Sequence, residues 1–320
     1  MTLFWVRFKW LTITAGAFVV GLAAIVVIGS IPPSDFPAGL VFTVRQNSTL
    51  SGTADQLAAN HIVRSAVMYK AYVVLLHDGH GIQAGDYLFD APQSALRVAY
   101  RTAYGIEGLP KIKTTIPEGS DAKDISIILG KSIAGFASTT FLSMAKSQEG
   151  YLFPDTYYFY KNTTPQQAIE SMKSDFDARI ATISSSISAF GKPIVDVVKM
   201  ASIVEKEATS TVDRRIIAGI LWKRLADKYP LQVDPPFYYF LGKDSAQLTL
   251  DDLAVDSPYN LYKHTGLPPT PIDSPSLDAI LATVTPTDTP YWYYLSDKHG
   301  NMHYSATFDG QLVNKAKYLQ

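Results

Sequence analysis

Lys199-Met-Ala-Ser-Ile-Val-Glu-Lys-Glu-Ala208 closes a run, Ile194 to Val204, that is apolar almost all round. Such a run predicts a buried helix, and so the centre of a folded domain. It leads into two of the chain's six glutamates, Glu205 and Glu207. Desolvation raises a carboxyl pKa and disfavours its charged form. That is the environment a general acid needs near neutral pH. Charged helix ends are also common without any chemistry, and both glutamates would then pair with Lys206 or Arg214. Residues at i and i+2 point about 200° apart on a helix, so Glu205 and Glu207 do not form a facing pair.

Working outward, several helix starts are marked. Thr164-Pro165 predicts an N-cap with Pro at the first helical position, opening a helix to about Ile183. Ser274-Pro275 repeats the device before Leu277 to Val284. Ser210 with Asp213 caps a helix whose apolar stripe is Ile216, Ile217, Ile220, Leu221 and Leu225. Tyr291 to Leu295 and Met302 to Phe308 read as a β-hairpin with Gly300 in the turn. Upstream, Leu40 to Val44, Gly85 to Phe89 and Ile112 to Pro117 are β-like, and Thr53 to Asn60 and Ser65 to Leu76 have helical spacing. The fold class is α+β, with a domain boundary in the region 115–145 and no fixed-period repeat.

The N-terminus has a different character. No charged residue lies between Lys9 and Asp35, and Leu11 to Ile28 is one apolar run. With its flanks it reaches the roughly 20 residues that a membrane span needs. Arg7 and Lys9 precede it and no basic residue follows before Arg45, so the positive-inside rule puts the N-terminus in the cytoplasm and the rest outside. A cleaved signal peptide has a shorter apolar region and a small-residue cleavage site. Here Pro32-Pro33 occupy the place of cleavage, which favours an uncleaved anchor.

Composition excludes several classes. The chain has 320 residues, 28 Lys+Arg, 29 Asp+Glu and no cysteine. Disulfides, thiolate metal sites and a cysteine nucleophile are ruled out, and six scattered histidines form no metal-ligand pattern. The basic excess of a nucleic-acid binder is missing.

Three further stretches combine carboxylates or amides with aromatics and Pro/Gly-fixed loops: Glu149 to Tyr158, Leu231 to Tyr239, and Tyr259 to Tyr262 with Gly266 to Ile272. Sugar sites use that mixture, with polar groups on hydroxyls and ring faces on the pyranose. A two-carboxylate glycosidase would need a partner acid from Glu149, Asp155 or Asp234. The other reading of Tyr157 to Tyr160 and Tyr291 to Tyr294 is as strand residues packed on a core, and for the hairpin tyrosines 291–294 it is the better one.

In order along the chain stand TIPEG (115–119), EGYLFPDTY (149–157), ASIVEKEA (201–208), KRL (223–225), LQVDP (231–235), YNLY (259–262), GLPPTPI (266–272) and GNMHY (300–304). This set resembles the MltG/YceG-like endolytic murein transglycosylases from the anchor almost to the C-terminus. The residues divide the chain into a cytoplasmic tail at 1–9, a transmembrane helix at 10–31, a tether at 32–39 and folded parts at 40–115 and 116–320, and the resemblance implies that these parts are a LysM-like module and a catalytic α+β domain. It implies residence in the cell (inner) membrane with the catalytic part periplasmic or extracytoplasmic. It also implies cleavage of MurNAc–GlcNAc bonds inside peptidoglycan strands, without water, to leave 1,6-anhydro-MurNAc ends and terminate nascent strands. The residues alone leave Glu205 and Glu207 open. The resemblance makes Glu207 the catalytic acid and leaves Glu205 to pKa tuning or structure. It further implies that Glu149, Asp155, Gln232, Asp234, Asn260 and Tyr262 bind the sugars. No cofactor or metal is implied. The partners are peptidoglycan strands, the membrane and peptidoglycan synthases, with no nucleic acid. The sequence departs from the family pattern at Lys223, at Pro236 and at Phe308 to Gln311. Two rival readings are a non-catalytic peptidoglycan-binding scaffold and a two-carboxylate muramidase-type hydrolase.

Overall fold

The computed structural model describes residues 20, 21, 23–76 and 81–319. The chain divides into two compact units, Met1–Pro110 and Lys111–Gln320.

In the first unit, β1 (Leu40–Val44), α1 (Leu50–Ala59), α2 (Ala66–Leu76), β2 (Gly85–Phe89) and α3 (Ala95–Ala103) follow in order. β1 and β2 pair antiparallel with Leu40 opposite Phe89. Phe42, Leu57, Tyr69, Tyr87, Phe89 and Val98 form the core. The buried hydroxyls of Tyr69 and Thr102 satisfy each other at 2.8 Å. Half of the expected span at 10–31 lies outside the described residues. Residues 20, 21 and 23–30 are helical. Among the described residues no helix is long and apolar enough to cross a membrane.

The second unit begins with β3 (Lys111–Thr115), α4 (Ala122–Ser132), α5 (Ser138–Ala145), β4 (Thr156–Tyr160) and α6 (Pro165–Thr182). β3 pairs antiparallel with β4, a partner about 45 residues later. That pairing carries residues 111–115 into the second unit, where local patterning had placed them at the end of the first. Tyr157 and Phe159 pack with Ile125, Leu129 and Met172, which makes this stretch a strand on the core. Thr164 caps α6 in a reciprocal capping box with Gln167.

The chain continues through α7 (Ser184–Phe190), α8 (Ile194–Glu207), α9 (Thr211–Ala226), α10 (Pro235–Leu241), α11 (Leu250–Ala254), α12 (Leu277–Val284), β5 (Tyr293–Ser296), β6 (Met302–Ser305) and α13 (Phe308–Tyr318). Val197, Val198, Met200, Ala201, Ile203 and Val204 of α8 are all fully buried, as the apolar run predicts. α9 and α12 both pack against α8. Ser210 caps α9 as expected. The N-cap of α12, however, is Ser276, whose hydroxyl accepts from the Ala279 amide. Ser274 is instead buried; its backbone amide donates to the Ser120 carbonyl and its carbonyl accepts from the Gly119 amide. The β5–β6 hairpin pairs Tyr294 with Tyr304, and Gly300 takes the left-handed conformation in its turn, φ 81°. The second strand stops at Ser305, and Thr307 caps a helix from Phe308. The extended reading of residues 306–308 is therefore corrected, because the cap redirects the chain.

Candidate active site

Glu207 is the last residue of α8. It lines a groove of about 750 Å³ with Lys206, Arg224, Gln232, Asp234, Tyr262 and Tyr294. The residue keeps a partly exposed edge, but its carboxyl is closely surrounded by protein. Burial pushes its pKa up to about 7, with Asp234 raising it further and Tyr294 and Arg224 opposing. A carboxyl in that range exists in both protonation states near neutrality.

Glu205 behaves differently. Its side chain is 6% exposed and meets Arg214 Nη2 at 2.6 Å. Its other oxygen accepts from the Ser276 amide at 2.9 Å and from the Ser276 hydroxyl at 2.5 Å. Arg214 also donates to the Ala208 carbonyl at 2.9 Å and to Asp278 at 2.7 Å. Glu205 is thus a fully bonded strut that ties the end of α8 to α9 and α12. Two residues on, the helix turns Glu207 the other way, toward the groove.

The groove is assembled from five of the motifs, those at 201–208, 223–225, 231–235, 259–262 and 300–304. Arg224 of α9, 4% exposed, donates to the carbonyls of Trp292 and Leu231, bracing the hairpin and the Leu231–Asp234 loop together. Gln232 has φ 51°, an uncommon conformation for a side-chain-bearing residue, and its amide donates to Leu261 at 3.0 Å. Tyr262 donates to Asp234 at 2.6 Å. Asn260 is fully buried. Its amide donates to the carbonyls of Leu253 and Val255 and its oxygen accepts from the Tyr262 backbone.

Of the six sugar-binding candidates, Gln232, Asp234 and Tyr262 share the groove with Glu207, and Asn260 stands behind them as a loop brace. Asp155 lies elsewhere. It accepts from the Thr156 amide and pairs with Arg179 at 2.6 Å. Glu149 is 4% exposed and accepts from the Ala122 amide at the start of α4, at 3.2 and 3.3 Å. Burial pushes its pKa up to about 8. Its neighbour Gly150, φ 84°, sits where a Cβ would fall 2.5 Å from Pro271 and 2.9 Å from Val198. A side chain there would force the 149–157 and 266–272 segments off α8.

Sequence patterning overlooked Tyr294 and Asp273. The buried hydroxyl of Tyr294 stands on the groove wall beside Glu207, where it favours the charged form of that carboxyl. Its tyrosine-rich strand reads as core, and only pairing decides which ring faces the groove. Asp273 is fully buried with both carboxyl oxygens unpartnered. Burial holds its pKa well above the usual range, with Lys206 opposing. A carboxylate inside an apolar, proline-rich loop was the available signal. The departure at Lys223 is structural, since its amine donates to Thr289 at 2.8 Å. Pro236 is buried in the first turn of α10. Gln311 lines the groove and donates to the Tyr294 carbonyl at 2.9 Å. Among the described residues no group of His, Asp or Glu is placed to hold a metal ion.

Residues 42–317 match the model of the YceG-like family. The chain is 28% identical to the endolytic murein transglycosylase of Bacillus subtilis, over 96% of this chain and 91% of that protein. It is 36% identical to the endolytic murein transglycosylase of Streptococcus pneumoniae, over 53% of this chain and 32% of that longer protein. The crystal structure of a yceG-like protein from Listeria monocytogenes superposes with a TM-score of 0.59 at 27% identity, covering 86% of this chain and 98% of that one.

Proposed function

The chain belongs to the YceG-like family, and from that premise we propose that it is an endolytic lytic transglycosylase of peptidoglycan, with Glu207 as its single acid and base. The observation that carries the reading is the carboxyl of Glu207, poised near neutrality in an open groove. Protonated Glu207 gives its proton to the glycosidic oxygen between MurNAc and GlcNAc as the C1–O bond breaks. The resulting carboxylate takes the proton of the same sugar's 6-hydroxyl while that oxygen closes on C1. The product is a 1,6-anhydro end, and one group serves both steps. Internal attack replaces an activated water by proximity. Gln232, Asp234 and Tyr262 line the sugar subsites, with Asn260 holding the Tyr262 loop. Glu149 and Asp155 act outside the groove, by packing α4 and fixing the start of β4.

A two-carboxylate hydrolase would have to use Asp234, the other carboxylate in the groove. Mass spectrometry of products from purified glycan strands separates the readings. Anhydro-muramic ends support the transglycosylase, free reducing ends the hydrolase, and uncut strands the scaffold.

The strand–helix–helix–strand order of the first unit, with its strands paired, supports the LysM-like reading of the module that begins at residue 40, with its end at Pro110 in place of 115. We place the apolar segment 10–31 across the cell membrane with the N-terminus cytoplasmic, so that the catalytic unit works outside beside peptidoglycan synthases. A reporter fused after Gln320 that is active only outside the cytoplasm tests this topology. Activity inside the cytoplasm overturns it.

A further inference from the structure

α2 is nearly all apolar, AVMYKAYVVLL, yet only Tyr69 and Val73 of its residues are buried. Val67, Ala71, Val74 and Leu75 are exposed. They stand at i, i+4, i+7 and i+8, so they form one continuous stripe along the helix. Val67 is 69% exposed and Leu75 is 75% exposed, and a contiguous apolar stripe of this kind marks an interaction surface.

The neighbour of this helix suggests what covers the stripe. The end of the apolar N-terminal segment packs on α2. Gly29 is buried against it so closely that a Cβ there would fall 2.7 Å from Met68 Cγ. The Ser30 and Tyr72 hydroxyls lie 2.5 Å apart. Arg64 donates to the Pro32 carbonyl at 3.2 Å. Val20, Ile25, Val27 and Ile28, just before these contacts, are themselves exposed. The contact therefore falls within one helical turn of the place where the apolar run gives way to Pro32-Pro33. If the run spans the bilayer, α2 is held at the lipid interface.

We propose that the Val67–Ala71–Val74–Leu75 stripe of α2 rests in the interface of the bilayer, seating the first unit on the membrane. This rests on the anchor reading of residues 10–31. The side chains of the stripe are aliphatic and carry no hydrogen-bonding group, so they suit acyl chains and offer nothing to sugar hydroxyls. Lys70, the only charged residue of α2, has the long stem that lets an amine reach the headgroup level while its carbons stay in apolar surroundings.

The absence of cysteine makes the test direct. Single cysteines at Val67, Val74 and Leu75 carry a nitroxide in the full chain reconstituted in lipid nanodiscs. Ile25 is the anchor control, and Asp55 on α1 is the aqueous control. Collision with oxygen and with a water-soluble nickel complex is then compared by electron paramagnetic resonance. The expected result is a several-fold fall in nickel accessibility at positions 67, 74 and 75 relative to 55, with oxygen accessibility raised. Equality with position 55 while position 25 reads as lipid overturns the seating and leaves the anchor standing. An aqueous reading at position 25 overturns both. Loss of both collision partners together with spin–spin broadening identifies a second copy of the chain on the stripe, and also overturns the proposal.

Discussion

Arg214 and Glu205 meet at 2.6 Å with both side chains nearly out of solvent, at 8% and 6% exposure. The pair sits two residues before the groove-facing Glu207, so it sets where α8 ends and where Glu207 points. Breaking a buried pair by deleting one partner leaves an uncompensated charge and typically costs about 3–5 kcal/mol. Arg214→Ala should therefore lower unfolding stability by about 3 kcal/mol or more, read from the midpoint of urea denaturation. A loss within experimental error would mean that Glu205 finds other partners. Glu205→Gln keeps the Ser276 contacts and should retain measurable cleavage.

Glu207→Gln preserves shape but neither gives nor takes a proton. General acid–base help is worth roughly 10²–10⁴-fold, and a group used in both steps should show a loss at the upper end. Anhydro-muropeptide release by the purified variant measures it, with thermal melting as the control for folding. Near-normal release by a folded variant would return the role to another acid.

Tyr294→Phe removes the buried hydroxyl that faces Glu207 and leaves the ring in place. Tyr294 favours the charged form of Glu207, together with Arg224, while burial and Asp234 oppose it. Tyr262, bonded to Asp234, is a second phenol near the carboxyl. Without the Tyr294 hydroxyl, the pKa of Glu207 should move further up from about 7. Protonated Glu207 begins the reaction, so the alkaline limb of the pH–rate profile should shift to higher pH. An unmoved limb, with the wild-type rate, would place the hydroxyl outside the chemistry.

Asp273→Asn tests the buried carboxyl. The folded pKa of Asp273 lies well above its ordinary 3.8. The associated stability is present in full below the unfolded pKa and is lost as pH rises toward the folded one. The amide does not titrate. Relative to wild type, the variant should therefore gain about 1.4 kcal/mol per pH unit between the unfolded and the folded pKa. Unfolding at pH 5 and pH 7 reads this slope, which is independent of any constant cost of fitting the amide. A parallel pH dependence in the two proteins would show that Asp273 is ionised and paired.

The sequence by itself determined the elements whose cause is local. The apolar run of 194–204 specified the buried α8, Thr164-Pro165 and Ser210 specified two helix starts, and alternation specified the strands at 40–44 and 85–89. These follow from period and capping, which a chain shows within a dozen residues. The ordered motifs also carried the family. Tertiary structure decided which of two neighbouring glutamates faces solvent, because the partners that hold Glu205 lie 9 residues away at Arg214 and 71 residues away at Ser276. It likewise separated Asn260, a brace inside its loop, from Tyr262 on the groove, and moved the cap of α12 from Ser274 to Ser276. A carboxyl's role is set by the atoms around it, and these come from segments brought together only by the packing of α8, α9, α12 and the hairpin.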